Sequence, residues 1–136
     1  MSVLAHASVQ KNICARIGAA LYVIWGVLHL LASWGIHALA ATIPSGLAYA
    51  RMEQAAWNLA VFAVLAIVLA LALNWRNDRI GYWINLIVVG VVDLGFVVLI
   101  VMPGYVPASL TSLAGPILFV IAATFSTIGL RSARPN

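Results

Sequence analysis

Long apolar stretches separated by short polar links make up the chain from position 17 onward. Each stretch holds about 20 residues, the number that an α-helix needs to cross a hydrocarbon core about 30 Å thick. Backbone groups in lipid must be hydrogen-bonded within the protein, which leaves helices or closed barrels, and the strict two-residue alternation of a barrel is missing. The pattern predicts an all-α, four-helix transmembrane bundle that forms one integral membrane domain over residues 1–136. The predicted spans are Ile17–Ala41, Gln54–Leu73, Ile80–Val101 and Leu110–Leu130.

The composition excludes a soluble globular domain. Hydrophobic residues make up 65% of the chain and charged residues 7%, whereas about a quarter of an ordinary soluble domain is charged. The basic residues stand at the ends of the stretches, so the net charge of +4 does not indicate a nucleic-acid partner. All of them except Arg51 fall on the side of both termini, and the positive-inside rule therefore predicts cytoplasmic termini. We expect a multi-pass protein of a bacterial inner membrane, with the lipid bilayer as its first partner.

The links predict how the stretches connect. Proline and glycine occur in the first and third links, where they end a helix and turn the chain. The middle link is so short that the second and third stretches must be antiparallel neighbours. In this link Asp78 is flanked by Arg76 and Arg79, from which we expect a surface ion pair.

Asp93 is the one carboxylate inside an apolar stretch. A charged residue at the bilayer centre costs about 2.5–3.5 kcal/mol on insertion scales, so it usually faces the bundle interior and often marks a functional site. His29 lies at the same depth, since each residue is roughly 12 positions from the same end of its span. We predict a catalytic pair in which Asp93 is the acid or base and His29 orients it or shares its proton. The alternative is a contact that only locks two helices together.

Polar residues at helical spacing extend this site. Tyr22, His29 and His37 share one face of the first stretch, and Asn85 shares a face with Asp93 in the third. Polar faces at one depth are costly if they look at lipid, so the pattern predicts an outward-opening polar pocket that ends at the pair. The predicted substrate-binding residues are Glu53, Asn58, Tyr22, Trp25, Asn85 and His37.

Structural roles compete with these assignments. Glu53 is also explained as a span-end residue that pairs with Arg51 or caps its helix. Asn58 and Asn85 are also typical of polar contacts between membrane helices. His37 is close enough to the membrane interface to be simply hydrated.

The chain carries no motif of a resident cofactor or metal. A bis-histidine heme site usually takes its ligands from facing helices, whereas His29 and His37 lie two turns apart on one helix. The spacings that imidazole and carboxylate metal sites usually show are also missing from His29, His37, Glu53 and Asp93. We predict no cofactor and no metal, with heme b as the minority alternative. Gly18, Gly26 and Gly35 predict close approach of helices rather than phosphate binding.

A series of features between Tyr49 and Gly129 follows a recognisable order. They are Ala50-Arg51 before the second span, Asn58 inside it, the short arginine-bearing link, Leu94-Gly95-Phe96 late in the third span and Gly115-Pro116 in the fourth. This order resembles the styrene oxide isomerase family of small four-span bacterial membrane enzymes. The resemblance implies isomerisation of an epoxide to a carbonyl compound, with a ferric heme held by a histidine near the start of the second span. The nearest position here is Glu53, so the heme ligand is not matched.

Two kinds of function remain open from the sequence. The first is an isomerase or hydro-lyase whose lipophilic substrate enters from the bilayer or the outer face. The alternative is a non-enzymatic subunit of a membrane complex or a proton-coupled carrier of small solutes. The candidate partners beyond the bilayer are a lipophilic small molecule and further copies of the chain in a homo-oligomer.

Overall fold

The computed structural model describes the backbone of residues 3–132 and the side chains of residues 13–132. Over this range the chain is all helical, and each of its four α-helices includes a segment long and apolar enough to cross a membrane. The prediction of an all-α chain with four helices of membrane-spanning length is therefore confirmed. The helices are α1 (Val3–Ala40), α2 (Leu47–Ala72), α3 (Arg79–Phe96) and α4 (Ala114–Arg131). A 3₁₀ turn at Asn74–Arg76 precedes α3, and a π-helical turn at Val97–Val101 extends it.

Three predicted boundaries are corrected by the structure. The first helix begins at Val3 rather than at Ile17. The second helix begins at Leu47 rather than at Gln54, because the polar residues before Gln54 continue the helix instead of ending it. The fourth begins at Ala114, since the preceding residues form a turn held by serines. In this turn the backbone N–H of Ser112 donates to Oγ of Ser109 at 3.2 Å, and the Ser112 hydroxyl donates to a loop carbonyl at 2.8 Å.

Small residues bring α1 close to α2 and α4. A Cβ added at Gly18 would lie 2.9 Å from the backbone nitrogen of Ser126, and one at Gly26 would lie 2.9 Å from the carbonyl oxygen of Ala63. Both distances are shorter than real contacts allow, so these glycines permit the packing that their spacing predicts. The same prediction is wrong for Gly35, which has no neighbour within 4 Å of the added atom.

The remaining helix, α3, lies diagonally across the bundle from α1. It packs against α2 and α4 more sparsely than α1 does. The space between the diagonal helices is filled by large side chains, and Tyr22 and Trp25 of α1 are fully buried there together with Asn85 and Val89 of α3. α1 and α3 therefore contact each other through long side chains that cross the core.

Asp78 caps α3 instead of forming an ion pair. Its Oδ1 accepts hydrogen bonds from the backbone N–H groups of Ile80 at 2.8 Å and Gly81 at 3.0 Å. Among the described residues it makes no salt bridge, so the expectation of a surface ion pair is wrong. The physical reason is that the first N–H groups of a helix lack intrahelical partners and bind a carboxylate well.

The two ends of the bundle differ. We call the end that contains residues 73–79 the link end and the end that contains residues 102–113 the loop end. At the link end the Asn77 side chain donates to the carbonyl oxygen of Gly129 at 3.0 Å, and Gly129 packs against the backbone of Ala15. The first described side chains of α1 and the last turn of α4 thus lie at the link end, as an even number of helices requires.

Candidate functional site

The centre of the bundle holds the predicted histidine and aspartate side by side. Nε2 of His29 lies 3.5 Å from Oδ1 of Asp93. Asp93 is buried, with 3% of its surface exposed, and His29 is partly buried. The two side chains come from the diagonal helices α1 and α3. Residues that the sequence predicts at the same depth of the membrane are therefore in contact in the structure.

Trp25 holds the other oxygen of the carboxyl group. Its Nε1–H donates to Oδ2 of Asp93 at 2.9 Å. Its ring also stacks on the imidazole of His29, with centroids 3.7 Å apart and planes inclined by 22°. Trp25 and His29 are one helical turn apart and therefore neighbours on the surface of α1. The sequence suggested substrate binding for Trp25, whereas the structure places it behind the pair as a hydrogen-bond donor.

The hydrogen bonds of His29 determine which nitrogen faces Asp93. Nδ1 of His29 lies 2.8 Å from the carbonyl oxygen of Trp25, and because a carbonyl can only accept, Nδ1 carries a hydrogen. Nε2 is left facing Oδ1 of Asp93, which has no hydrogen-bond partner among the described residues. Nε2 and Oδ1 are therefore the two atoms through which the pair faces itself, 3.5 Å apart.

Gly115, in the first turn of α4, makes room for the pair. A Cβ at this position would lie 2.7 Å from Cε1 of His29 and 3.4 Å from Oδ1 of Asp93. Sequence reasoning noted Gly115 only as part of a Gly-Pro dipeptide. Its contact with the pair follows from the antiparallel arrangement of α4, which brings its first turn to the depth of Asp93.

A mainly apolar cavity of about 580 Å³ lies in the loop-end half of the bundle, and His29 forms part of its wall. Its volume falls within the range of about 300–1,000 Å³ that small-molecule sites occupy. All four helices contribute to it, and the turn before α4 adds Thr111 and Ser112 to its lining at the loop end. The lining residues are Leu28, His29, Ala32, Ile36, Ala55, Leu59, Val92, Phe96, Thr111, Ser112, Ala114, Gly115 and Pro116.

None of the six predicted substrate-binding residues lines this cavity. Glu53 and His37 contact each other instead, with Nδ1 of His37 at 2.9 Å from both carboxylate oxygens, in a separate groove between α1 and α2. Glu53 does not pair with Arg51, whose guanidinium donates to Gln54 at 2.9 Å. Asn58 is exposed and lines neither this groove nor the cavity.

The other three lie below the pair, towards the link end. Tyr22, Trp25 and Asn85 are fully buried, and the amide of Asn85 donates to the carbonyl oxygen of Ala66 in α2 at 3.4 Å. The expectation of a single polar pocket is thus corrected. Eight residues of helix rotate a side chain by about 80°, so His37 turns away from the direction of His29.

The imidazoles of the site are engaged by protein groups. Both ring nitrogens of His29 face protein atoms, Nδ1 the Trp25 carbonyl and Nε2 Asp93. The other imidazole, that of His37, contacts the carboxylate of Glu53. No group of three or more His, Cys, Asp and Glu residues in the described part of the chain is placed to hold a metal ion. We therefore derive no chemical step that uses heme or a metal.

Known proteins add no further information about this site, because no family model, curated protein or solved structure matches the chain. Fold and site together define a class of molecule. It is a bundle of four helices, each able by length and composition to cross a membrane. At its centre a cluster of the buried Trp25 and Asp93 with the partly buried His29 adjoins an apolar cavity.

Proposed function

We propose that this protein is a membrane-embedded isomerase or hydro-lyase that binds a lipophilic small molecule in the apolar cavity. The His29–Asp93 pair would supply the acid–base chemistry. The observation that carries this proposal is that the imidazole of His29 lines the cavity while its Nε2 faces a buried carboxyl group at 3.5 Å. An ionisable pair at the edge of an apolar cavity has a position from which it can reach a bound molecule.

The lining of the cavity limits the kind of substrate. Most of the walls are aliphatic side chains together with Phe96, so the body of the ligand would be hydrocarbon. The polar side chains in the lining are His29, Thr111 and Ser112, and the Ser112 hydroxyl already donates to the carbonyl of Pro107 at 2.8 Å. A ligand with one oxygen function at the end that faces His29 fits this distribution. An epoxide, the substrate type of the family that the sequence resembles, is one such molecule.

Epoxide isomerisation can be written for this site without an external oxidant or reductant. A proton that the pair shares between Nε2 and Oδ1 would pass to the epoxide oxygen as one carbon–oxygen bond breaks. A hydride then shifts from the carbon that keeps the oxygen to the neighbouring cationic carbon, and a carbonyl group forms. The proton on the oxygen returns to the pair. The Trp25 N–H would stabilise the carboxylate that is left after the first step, in surroundings where such hydrogen bonds are strong.

A proton-coupled carrier of small solutes is the second candidate. It would use the same pair to take up and release a proton as the solute binds and leaves. The observation that favours it is a set of buried polar atoms without protein partners in the half of the bundle between Asp93 and the link end. Both candidates place the ligand in the same cavity, and they differ in whether the ligand is changed.

The decisive experiment offers lipophilic epoxides to the purified protein in lipid nanodiscs. Gas chromatography with mass spectrometry follows conversion to the carbonyl isomer, and native mass spectrometry follows binding. We expect binding and conversion by the wild type, and binding without conversion by Asp93→Asn. Binding without conversion by the wild type would favour the carrier. Absence of binding to the wild type, or binding that filling the cavity by Ala55→Phe leaves unchanged, would overturn the proposed site.

A further inference from the structure

The link-end half of the bundle interior contains polar atoms that the protein leaves unpaired. Oδ1 of Asn85, the hydroxyls of Tyr22 and Ser126, and both polar atoms of the Asn74 side chain are buried without a hydrogen-bond partner among the described residues. Each of these residues has 5% or less of its surface exposed. We call this set the polar column; it consists of Tyr22, Asn74, Asn85 and Ser126.

The column runs along one face of α3 below the pair. The buried residues of α3 are Gly81, Asn85, Val89 and Asp93, at intervals of four, so they form a single stripe that ends at the pair. At its lower end Gly81 lies against the Asn74 side chain, since a Cβ there would be 2.7 Å from its Oδ1.

The other members of the column come from α1 and α4. Ser126 packs its hydroxyl against Gly18, one turn below Tyr22 on α1. Tyr22 belongs to the same buried core cluster as Trp25 and Val89. The unpaired atoms therefore come from three helices and the 3₁₀ turn, and they lie between the link end and the layer of Val89.

Water is the partner that fits these atoms. Buried polar groups in native proteins are almost always hydrogen-bonded, either to protein or to ordered water. Asn74 and Ser126 line a cavity of about 10 Å³ together with Asn77, Asp78 and Tyr82. A volume of about 10–15 Å³ with several polar neighbours is what a single water molecule needs. The cavity is too small for a metabolite.

One apolar layer separates the column from the pair. Val89 lies between Asn85 and Asp93 on the stripe, and Val89 and Trp25 are both fully buried. Asn85 and Asp93 are eight residues apart, or about 12 Å along the helix axis, which is several hydrogen-bond lengths. A continuous path between them needs water molecules that pass Val89.

We propose that the polar column binds a file of water molecules that carries protons between the link end and the His29–Asp93 pair. Val89 and Trp25 form the dry constriction that limits this exchange. In this arrangement the substrate reaches the pair from the cavity on the loop-end side, and protons reach it from the opposite side. The inference rests on the proposed function in that the pair is the group that exchanges the proton. The experiments that test it measure contact with water and the rate of hydrogen exchange, and they use no substrate.

The first measurement is the contact of the column with water. Water-edited solid-state NMR of the protein in bilayers compares magnetisation transfer from water to the ring of Tyr22 with transfer to Ala70, which is equally buried in the core. Loss of the signal in Tyr22→Phe assigns the ring. We expect rapid transfer to Tyr22 and slow transfer to Ala70. Equal, slow transfer to both would overturn the proposal.

The second measurement is hydrogen–deuterium exchange of the Trp25 indole N–H, which is bonded to Asp93. Val89→Thr keeps the shape of the side chain and adds a hydroxyl at the constriction, so exchange should accelerate by about tenfold. Asn85→Leu should slow it. The matched control is Val91→Thr, because Val91 is 65% exposed on the outer face of the same helix, and it should leave the rate unchanged.

The cavity provides the competing route for water. If water reaches Asp93 from the loop end, Ala55→Leu will slow exchange of the Trp25 N–H. The Val89 and Asn85 variants will then leave the exchange rate unchanged. That result would overturn the proposed column. Thermal unfolding of each variant checks that it is folded. If Asn85→Leu does not fold, the isosteric Val89→Thr still tests the proposal. These experiments use no substrate, so their outcome is independent of the epoxide assay. The column can be refuted while the epoxide reaction is found, and the column can be supported while the epoxide reaction is absent.

Discussion

The imidazole of His29 is positioned by Trp25, the residue one turn before it on the same helix. The carbonyl oxygen of Trp25 lies 2.8 Å from Nδ1 of His29, and the two rings stack with their centroids 3.7 Å apart. Both contacts lie within α1, so they fix the direction of Nε2 without a contribution from α3. The partner that α3 must supply is a carboxyl group at the right depth, and Asp93 is that group.

The first prediction concerns the charge of Asp93. Asp93→Asn keeps the size of the side chain and an acceptor for Trp25 but can no longer exchange a proton. If the pair works as an acid or base, this variant should lose turnover while its melting temperature stays close to that of the wild type. Asp93→Leu should also lose stability, by about 1–3 kcal/mol, because the Trp25 N–H is left unpaired. A fully active Asp93→Asn protein would show that the pair only locks the helices together.

The second prediction concerns the donor to Asp93. Trp25→Phe keeps a ring against His29 but removes the N–H that binds Oδ2 at 2.9 Å. We expect a loss of about 1–3 kcal/mol in unfolding free energy, since a buried carboxyl oxygen loses its partner. Trp57→Phe is the matched control, because Trp57 is 71% exposed, and it should change stability by less than about 0.5 kcal/mol. Equal effects of the two variants in chemical denaturation would contradict the role given to Trp25.

The third prediction concerns Gly115. In Gly115→Ala the added methyl group would lie 2.7 Å from Cε1 of His29, so the imidazole must leave its present position beside Asp93. We expect destabilisation of about 1–3 kcal/mol, as overpacking usually gives, together with loss of activity.

Gly35→Ala is the control for this substitution, because no atom lies within 4 Å of the methyl group that it adds. It should stabilise α1 by about 0.5–1 kcal/mol through the higher helix propensity of alanine. Thermal unfolding and turnover of both variants are the measurements. A Gly115→Ala protein as active and stable as the wild type would mean that the pair tolerates displacement.

The fourth prediction is the orientation in the membrane. The basic residues collect at the link end, so we expect this end to face the cytoplasm. In a Cys14→Ala background, Ser45→Cys places a thiol in the exposed loop after α1 and Ser132→Cys places one at the exposed end of α4. An impermeant maleimide added to intact cells should label the first and not the second. The reverse pattern would place the cavity on the cytoplasmic side.

The sequence predicts this fold well because the bilayer leaves few alternatives. Apolar stretches of sufficient length must become helices, and short links must join antiparallel neighbours. The boundaries were less predictable, as at Leu110, where the serine hydrogen bonds of the following turn delay α4 until Ala114. Local side-chain bonding of this kind does not appear in hydropathy.

The sequence predicts how deep the site residues lie in the bundle, but not the direction in which their side chains point. His29 and Asp93 meet because two polar residues at one depth of a bundle have only its interior to share. The direction of His37 depends on how far α1 rotates and on where α2 packs, and neither follows from spacing alone. Trp25 and Gly115 act through an indole hydrogen and a missing side chain. Their roles became visible only once the diagonal contact between α1 and α3 was known.

That diagonal contact has a mechanical consequence. α1 meets α2 and α4 through glycines and alanines at backbone distance, whereas α3 is joined to α1 through the side chains that reach Asp93. Moving α3 outward therefore stretches the Trp25 bond and the His29 contact in the same step. Under the proposed function, a bundle that opened along α3 would separate His29 from Asp93. The pair could then act as acid and base only in the closed bundle.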